Sequence, residues 1–164
     1  MIRVQREDFD VGTEIERLAR GKYGVGGIVS FVGLVRDVAG GERVGAMTLE
    51  HYPGMTEKKL AEIEVEARQR WPLEDCLVVH RYGRLEAGER IVLVVTASAH
   101  RQAAFEACEF LVDWLKTKAP FWKLEEHAGG ADWVEAQAED ESRASRWEAA
   151  TPLRPRLTSR RRRR

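Results

Sequence analysis

Two lysines, Lys116 and Lys123, lie on either side of a short apolar segment, Pro120-Phe121-Trp122. A helical pattern ends at Pro120, so the two ammonium groups flank a helix terminus beside aromatic rings. Lysine in apolar surroundings loses hydration, and such lysines can act as nucleophiles, acid–base groups or anion anchors. This pair is the first candidate for chemistry in the chain.

A second group of cations lies at the start of the helix that leads to Lys116. His100 and Arg101 fall in its first turn, where free N–H groups and the helix dipole attract anions. Two cationic side chains there cost stability unless an anion is present, which points to binding; an ordinary surface pair is the alternative. Arg36 is a third candidate, because it follows an apolar strand and precedes a glycine-containing loop. The earlier glycines, Gly24 to Gly27, precede a strand rather than open a helix, so we do not predict a phosphate loop there.

The spacing of these cations has a geometric consequence. Arg101 and Lys116 are 15 residues apart on one predicted helix, a separation of roughly 22 Å at ~1.5 Å per residue. No small ligand can contact both side chains of one helix. We therefore predict a homodimer in which Arg36, His100 and Arg101 of one subunit face Lys116 and Lys123 of the other.

The elements that must position these residues follow from apolar periodicity and turn signals. Helices are predicted over 11–20, 56–70, 99–118 and 139–148, with Thr13 and Ser98 as caps of the first and third. Strands are predicted over 28–35, 44–52, 76–82, 90–97 and 121–127, the last pairing with 133–135. The strand 28–35 is read as mostly buried, and Gly83 to Gly88 as a hairpin connection. The fold class predicted is α+β with a mostly antiparallel sheet.

The remaining residues with chemical potential are given structural roles. Cys76 and Cys108 are predicted to be buried free thiols, and His51 and His80 to be structural histidines within strands. We predict neither a metal site nor a cofactor. Three aromatic residues are assigned to the core, with an aromatic wall for a flat heterocycle as the alternative: Trp114, Phe121 and Trp122.

Composition fits one water-soluble domain over residues 1–150, in a chain of 164 residues with 43% hydrophobic and 33% charged residues. No apolar run approaches the ~18 residues that span a bilayer, and the N-terminus is too charged for a secretory signal, so a cytoplasmic location without membrane contact is predicted. The tail, 151–164, carries seven arginines, leaving 20 basic and 27 acidic residues elsewhere. Such a tail can bind nucleic acid, but without interleaved aromatic residues we favour a disordered appendage.

Five ordered motifs together resemble the MoaE family, the catalytic subunit of molybdopterin synthase, over about residues 10–148. The motifs are Gly27 to Arg36, Leu49 to Met55, His80 to Leu85, Ser98 to Arg101, and Lys116 to Glu125. The resemblance implies an α/β hammerhead-type fold and a central homodimer within a heterotetramer. A small ubiquitin-like sulfur carrier of the MoaD type would dock at each end and insert its C-terminal Gly-Gly thiocarboxylate.

The implied reaction is a sulfur transfer that converts precursor Z, a cyclic pyranopterin monophosphate, to the dithiolene of molybdopterin. Lys116 and Lys123 would be catalytic. The resemblance places substrate binding on six residues: Arg36, His100, Arg101, Lys116, Lys123 and Glu125. Which lysine does which step stays open, and a non-catalytic scaffold of the same fold is an alternative.

The chain departs from the family pattern at two positions. Leu34 and Leu124 stand where basic residues are common. Both departures remove positive charge near the expected phosphate, so a lower substrate affinity is the expectation.

Overall fold

The computed structural model describes residues 1–39, 42–134 and 138–148. The predicted arginine-rich tail therefore lies outside the described residues. Four helices occur in the described part of the chain: α1 (Val11–Ala19), α2 (Met55–Arg70), α3 (Arg101–Thr117) and α4 (Ala138–Ser145). All four agree with the sequence prediction to within two or three residues at each end.

The strands form two sheets. The first has the order β1 (Ile2–Gln5), β5 (Leu73–Arg81), β7 (Arg90–Ser98), β2 (Gly27–Leu34). The second has the order β3 (Val38–Ala39), β4 (Glu42–His51), β8 (Phe121–His127), β9 (Gly130–Val134), with β6 (Gly83–Glu86) also paired to β4. Every pairing is antiparallel except that of β1 with β5. The predicted α+β fold with mostly antiparallel sheets is confirmed.

Helices cover both faces of the first sheet, which explains the continuous apolar runs of β5 and β7. On one face, Val78 and Val94 pack against α2 and α3 in a cluster that includes Ile63 and Leu111. The other face packs against α1. A third cluster joins the end of β2 to the second sheet, and consists of Val35, Met47, Leu49 and Leu85 with Ile91 packed against it.

One prediction about the first sheet is wrong for a reason of topology. The strand 28–35 was expected to be mostly buried, but β2 is an edge strand whose residues are half-buried or exposed. The connection Gly83 to Gly88 joins two antiparallel strands, β5 and β7, as predicted, but it is not a plain loop, because residues 83–86 pair with Ala46 to Leu49 of β4. Strand β1 was not predicted, because four residues carry too little periodicity to indicate a strand.

Both predicted helix caps are also wrong. Asp10, not Thr13, caps α1, because its side chain accepts a hydrogen bond from the Thr13 N–H. Ser98 is the last residue of β7, and its hydroxyl donates to the Pro72 carbonyl at 2.8 Å. The N-cap position of α3 is His100, whose side chain makes no capping bond.

Candidate active site

The N-terminus of α3 opens onto a pocket of about 470 Å³ lined by Gly26, Ala99, His100, Arg101 and Gln102. No acidic residue lies in the first turn of the helix. The backbone N–H groups of that turn have no carbonyl partner within the helix and carry partial positive charge. Arg101 adds a cationic guanidinium and His100 an imidazole that can donate a hydrogen bond to the same opening, so the pocket is suited to an anion.

The floor of this pocket depends on a glycine that sequence reasoning set aside. The Gly26 N–H donates to the Ser98 carbonyl at 3.0 Å, and a Cβ at Gly26 would lie 2.2 Å from the Ala99 carbonyl oxygen. Only glycine therefore permits this approach of the two backbones. The sequence does not reveal this role, because Gly26 approaches the α3 N-terminus from the segment before β2 and is not adjacent to the helix in the chain.

Three candidate cations have no carboxylate partner. Within residues 1–39, 42–134 and 138–148, the side chains of Arg36, His100 and Arg101 form no ion pair with an acidic residue. Other basic residues do, such as Arg84 with Glu126 at 3.0 Å and Lys118 with Glu148 at 2.8 Å. The three groups are also exposed, so they are available to an incoming anion.

The opposite end of α3 presents Lys116, which is exposed in the last helical turn. The helix ends at Thr117, whose hydroxyl donates to the Asp113 carbonyl at 2.9 Å. The short connection to β8 is held by the buried Thr56, whose hydroxyl donates to the Pro120 carbonyl at 3.3 Å. Lys116 and the residues of β8 are therefore linked by a braced turn.

Strand β8 carries Lys123 and Glu125 on one face. They lie directly opposite Leu49 and Met47 of β4, and all four side chains point to the same side of the sheet. Both charged side chains are half-buried. A cation and a carboxylate two residues apart on a strand can bind a polar substrate and exchange protons with it.

The structure separates Arg36 from Arg101 within one chain and brings the residue before Arg36 against β4, the strand that pairs with Lys123 and Glu125. Strand β2 begins beside Arg101, since a Cβ at Gly27 would lie 3.7 Å from the Arg101 Cα. Arg36 comes nine residues later, roughly 25–30 Å away at ~3.3 Å per residue. Its neighbour Val35 packs with Met47 and Leu49, the residues opposite Glu125 and Lys123.

The predicted grouping of Arg36 with His100 and Arg101 of the same subunit is therefore wrong. The reason is that β2 is extended and its two ends reach opposite ends of α3. We call Gly26, His100 and Arg101 the N-terminal half-site, and Arg36, Lys116, Lys123 and Glu125 the lysine half-site. The predicted separation of ~22 Å between Arg101 and Lys116 is confirmed, because one continuous helix, α3, contains both residues.

The prediction of buried free thiols is confirmed for both cysteines, and both histidines lie within strands as predicted. Cys76 and Cys108 are buried and free, and burial raises the pKa of Cys76 to about 12 and that of Cys108 to about 11. His80 is buried in β5 and His51 is half-buried in β4. No group of three or more described His, Cys, Asp or Glu side chains is placed to hold a metal ion. The core assignment of Trp122 is wrong, because 48% of this residue is exposed on the second sheet.

Fold and site together define an α+β protein whose helix α3 has a pocket lined by His100 and Arg101 at one end and Lys116 at the other. The MoaE protein family model matches residues 4–118. The molybdopterin synthase catalytic subunit of Pseudomonas aeruginosa is 57% identical over 147 residues, which cover 90% of this chain and 98% of that protein.

Solved structures agree with this match. The MoaE molybdopterin biosynthesis protein from Burkholderia ambifaria has a TM-score of 0.78 at 47% identity, covering 92% of this chain and 99% of the other. Molybdopterin synthase from Staphylococcus aureus has a TM-score of 0.74 at 32% identity, covering 81% of this chain and 96% of the other. The chain belongs to the MoaE protein family, whose curated members are molybdopterin synthase catalytic subunits of molybdenum cofactor biosynthesis.

Proposed function

We propose that this chain transfers sulfur from the C-terminal thiocarboxylate of a small ubiquitin-like carrier to precursor Z. The curated relatives are named catalytic subunits, which supports a second, separate subunit as the sulfur source. The observation that carries the proposal is the pocket at the N-terminus of α3, where His100 and Arg101 lack carboxylate partners among the described residues.

The N-terminal half-site binds the cyclic phosphate of precursor Z. A phosphate there accepts hydrogen bonds from free backbone N–H groups at the helix start and from Arg101, whose planar guanidinium matches two phosphate oxygens. His100 contributes a further donor. Glycine at position 26 keeps the pocket open for this group.

The lysine half-site carries the chemistry. The thiocarboxylate sulfur bonds to a carbon of precursor Z as a C–O bond at that carbon breaks, which links substrate and carrier through an acyl thioester. Water then adds to the thioester carbonyl, and the anionic tetrahedral species breaks its C–S bond, leaving sulfur on the substrate and a carboxylate on the carrier. A lysine ammonium beside that species lowers the energy of its charge. Lys116 is the principal candidate, with Lys123 as its partner in moving protons while ring and phosphate bonds rearrange. Glu125 and Arg36 orient the substrate on the same side of the second sheet.

The two half-sites belong to different subunits of a homodimer. In one chain they lie at opposite ends of α3, too far apart for one pterin phosphate to contact both. A second copy that presents its N-terminal half-site to the lysine half-site of the first makes one complete site. Two-fold symmetry then gives two such sites per dimer.

Lys116→Ala tests this assignment. Removing one group that stabilises a developing oxyanion costs about 10²–10³-fold in rate, so molybdopterin formation from precursor Z and the thiocarboxylated carrier should fall by that factor. The dimer should remain folded, because Lys116 is exposed.

Lys118→Ala is the matched control. It removes a lysine from the same segment, but one whose ammonium is bound to Glu148 at 2.8 Å, and its turnover should stay close to that of the unmodified protein. Turnover of Lys116→Ala equal to that of Lys118→Ala would defeat the proposed role.

A further inference from the structure

An aromatic stack joins the two sheets beside the lysine half-site. His80 is the penultimate residue of β5 in the first sheet, and Phe121 begins β8 in the second. Their ring centroids are 3.7 Å apart with 14° between the ring planes. This contact lies at the start of the strand that carries Lys123.

The His80 ring is fixed in place. His80 is 6% exposed, and its Nδ1 lies 2.9 Å from the Arg81 carbonyl oxygen. Since a carbonyl can only accept, Nδ1 carries the proton. Burial lowers the pKa of His80 to about 4, and the charges of Lys123 and His51 act in the same direction. The ring is therefore neutral near pH 7 and adds no positive charge beside Lys123.

A second ring lies near Phe121. His51 lies directly opposite Phe121 in the β4–β8 pairing, and the two ring centroids are 6.3 Å apart. Phe121 thus stacks on a ring of the first sheet and neighbours a ring of the adjacent strand. The rotation of the first residues of β8 is restricted as a result.

The restricted rotation at the start of β8 also limits the positions that Lys123 can adopt. Phe121 and Lys123 are alternate residues on the same face of β8, and the Lys123 charge acts on the His80 ring. Among the described residues, the pairing of β9 with β8 runs from His127 to Lys123, which lies opposite Val134. The His80–Phe121 stack adds a restraint two residues before Lys123.

We propose that the His80–Phe121 stack positions the Lys123 ammonium in the lysine half-site. The two residues contact neither substrate nor reacting atoms; they act through the strand and the side chain of Lys123. This inference rests on the proposed catalytic role of Lys123. It gives the His80 motif a function in the reaction beyond its structural role.

The test compares His80→Leu and Phe121→Leu with the unmodified dimer. Each should lower kcat for molybdopterin formation roughly ten- to hundredfold, as a misplaced catalytic group does. KM for precursor Z should change less than twofold, because the phosphate pocket lies at the other end of α3. The double variant should be no slower than the slower single variant, since both residues act through one stack.

A second measurement needs no turnover. Reaction of lysine amines with a small acylating reagent, followed residue by residue by mass spectrometry, should be several-fold faster at Lys123 in both variants. Labelling of Lys116 in the same molecules should be unchanged, which separates local release of Lys123 from general loosening. Phe121→Tyr keeps the ring and should restore both kcat and slow labelling.

His127→Leu is the matched control, because His127 lies on the same strand but pairs with Asp132 at 2.8 Å beyond the stack. It should leave kcat and Lys123 labelling unchanged. If His80→Leu fails to fold, the half-buried Phe121→Leu decides the question alone.

The proposal is overturned if folded Phe121→Leu matches the unmodified protein in kcat, or if Lys123 labels faster with no loss of kcat. An active Lys123→Ala variant would instead refute the proposed function, while the labelling result would still report whether the stack holds Lys123.

Discussion

The basic side chains of this protein fall into two classes: those that form an ion pair with a carboxylate and those that do not. Lys118 and Arg84 are bound to glutamates, and such surface pairs contribute little stability and no binding capacity. Arg36, His100 and Arg101 have no such partner in the described part of the chain, so their charge is available to a ligand. The identity of the residue alone, read from the sequence, does not distinguish these two states.

Asp75 shows how pairing fixes the properties of a residue outside the site. Burial alone would raise the pKa of this carboxyl, but hydrogen bonds from Lys22 and Arg68 outweigh it and lower the pKa to about 2. Because the folded pKa lies below the unfolded value of 3.8, the charged form stabilises the fold above about pH 4, and this contribution is lost as the pH falls toward 2.

We therefore predict that Asp75→Asn lowers the free energy of unfolding by about 2 kcal/mol at pH 7. The difference between variant and unmodified protein should shrink steadily below pH 4, because the carboxyl becomes protonated first in the unfolded chain and, nearer pH 2, in the folded protein. Urea unfolding of both proteins at pH 7 and pH 3 measures this difference in the free energy of unfolding. An equal difference at the two pH values would show that the charge of Asp75 is not the cause.

At the scale of elements, α3 and β2 determine where chemistry can occur. Both begin at the N-terminal half-site and run toward the lysine half-site, so each end of this helix–strand pair carries a different group of cations. The pocket at the first end exists because β2 meets the α3 N-terminus through a glycine. That contact is the most sensitive point of the N-terminal half-site.

Gly26→Ala tests the contact. The added methyl group would lie 2.2 Å from the Ala99 carbonyl oxygen, so the backbone before α3 must move and displace His100 and Arg101. We expect KM for precursor Z to rise at least tenfold, in line with a shifted phosphate site. Gly24→Ala is the control, because its nearest neighbour at 3.3 Å is the end of the Glu74 side chain, which can move aside. Equal KM values in the two variants would contradict the importance of this packing.

Most elements could be predicted from the sequence because their apolar spacing is strong. Leu60, Ile63 and Ala67 identify α2 and are buried as expected. Strand β6, the caps and the edge position of β2 could not be predicted, because each depends on which distant segment lies alongside. The same distinction applies to the candidate site. Its residues could be identified from the sequence motifs, but the position of Arg36 depends on the direction in which β2 crosses the sheet.

For the whole molecule, the distance between the half-sites requires a second subunit if one substrate is to contact both. The homodimer stays a prediction, as do the single catalytic domain over residues 1–150 and the extra tail over 151–164. No described helix is long and apolar enough to cross a membrane. All residues of both half-sites lie between positions 26 and 125, so deletion of residues 154–164 should leave molybdopterin formation unchanged.

Mixing inactive variants tests the shared site most directly. Arg101→Ala and Lys123→Ala affect different half-sites, so re-association of the two proteins should give heterodimers with one intact site each. Random pairing makes half the dimers mixed and should restore about a quarter of the unmodified activity. Arg36→Ala mixed with Arg101→Ala should restore the same fraction, whereas Arg36→Ala mixed with Lys123→Ala should restore none, because both changes fall in one half-site. Recovery in that last mixture, or no recovery in the first two, would contradict a site built from the N-terminal half-site of one subunit and the lysine half-site of the other.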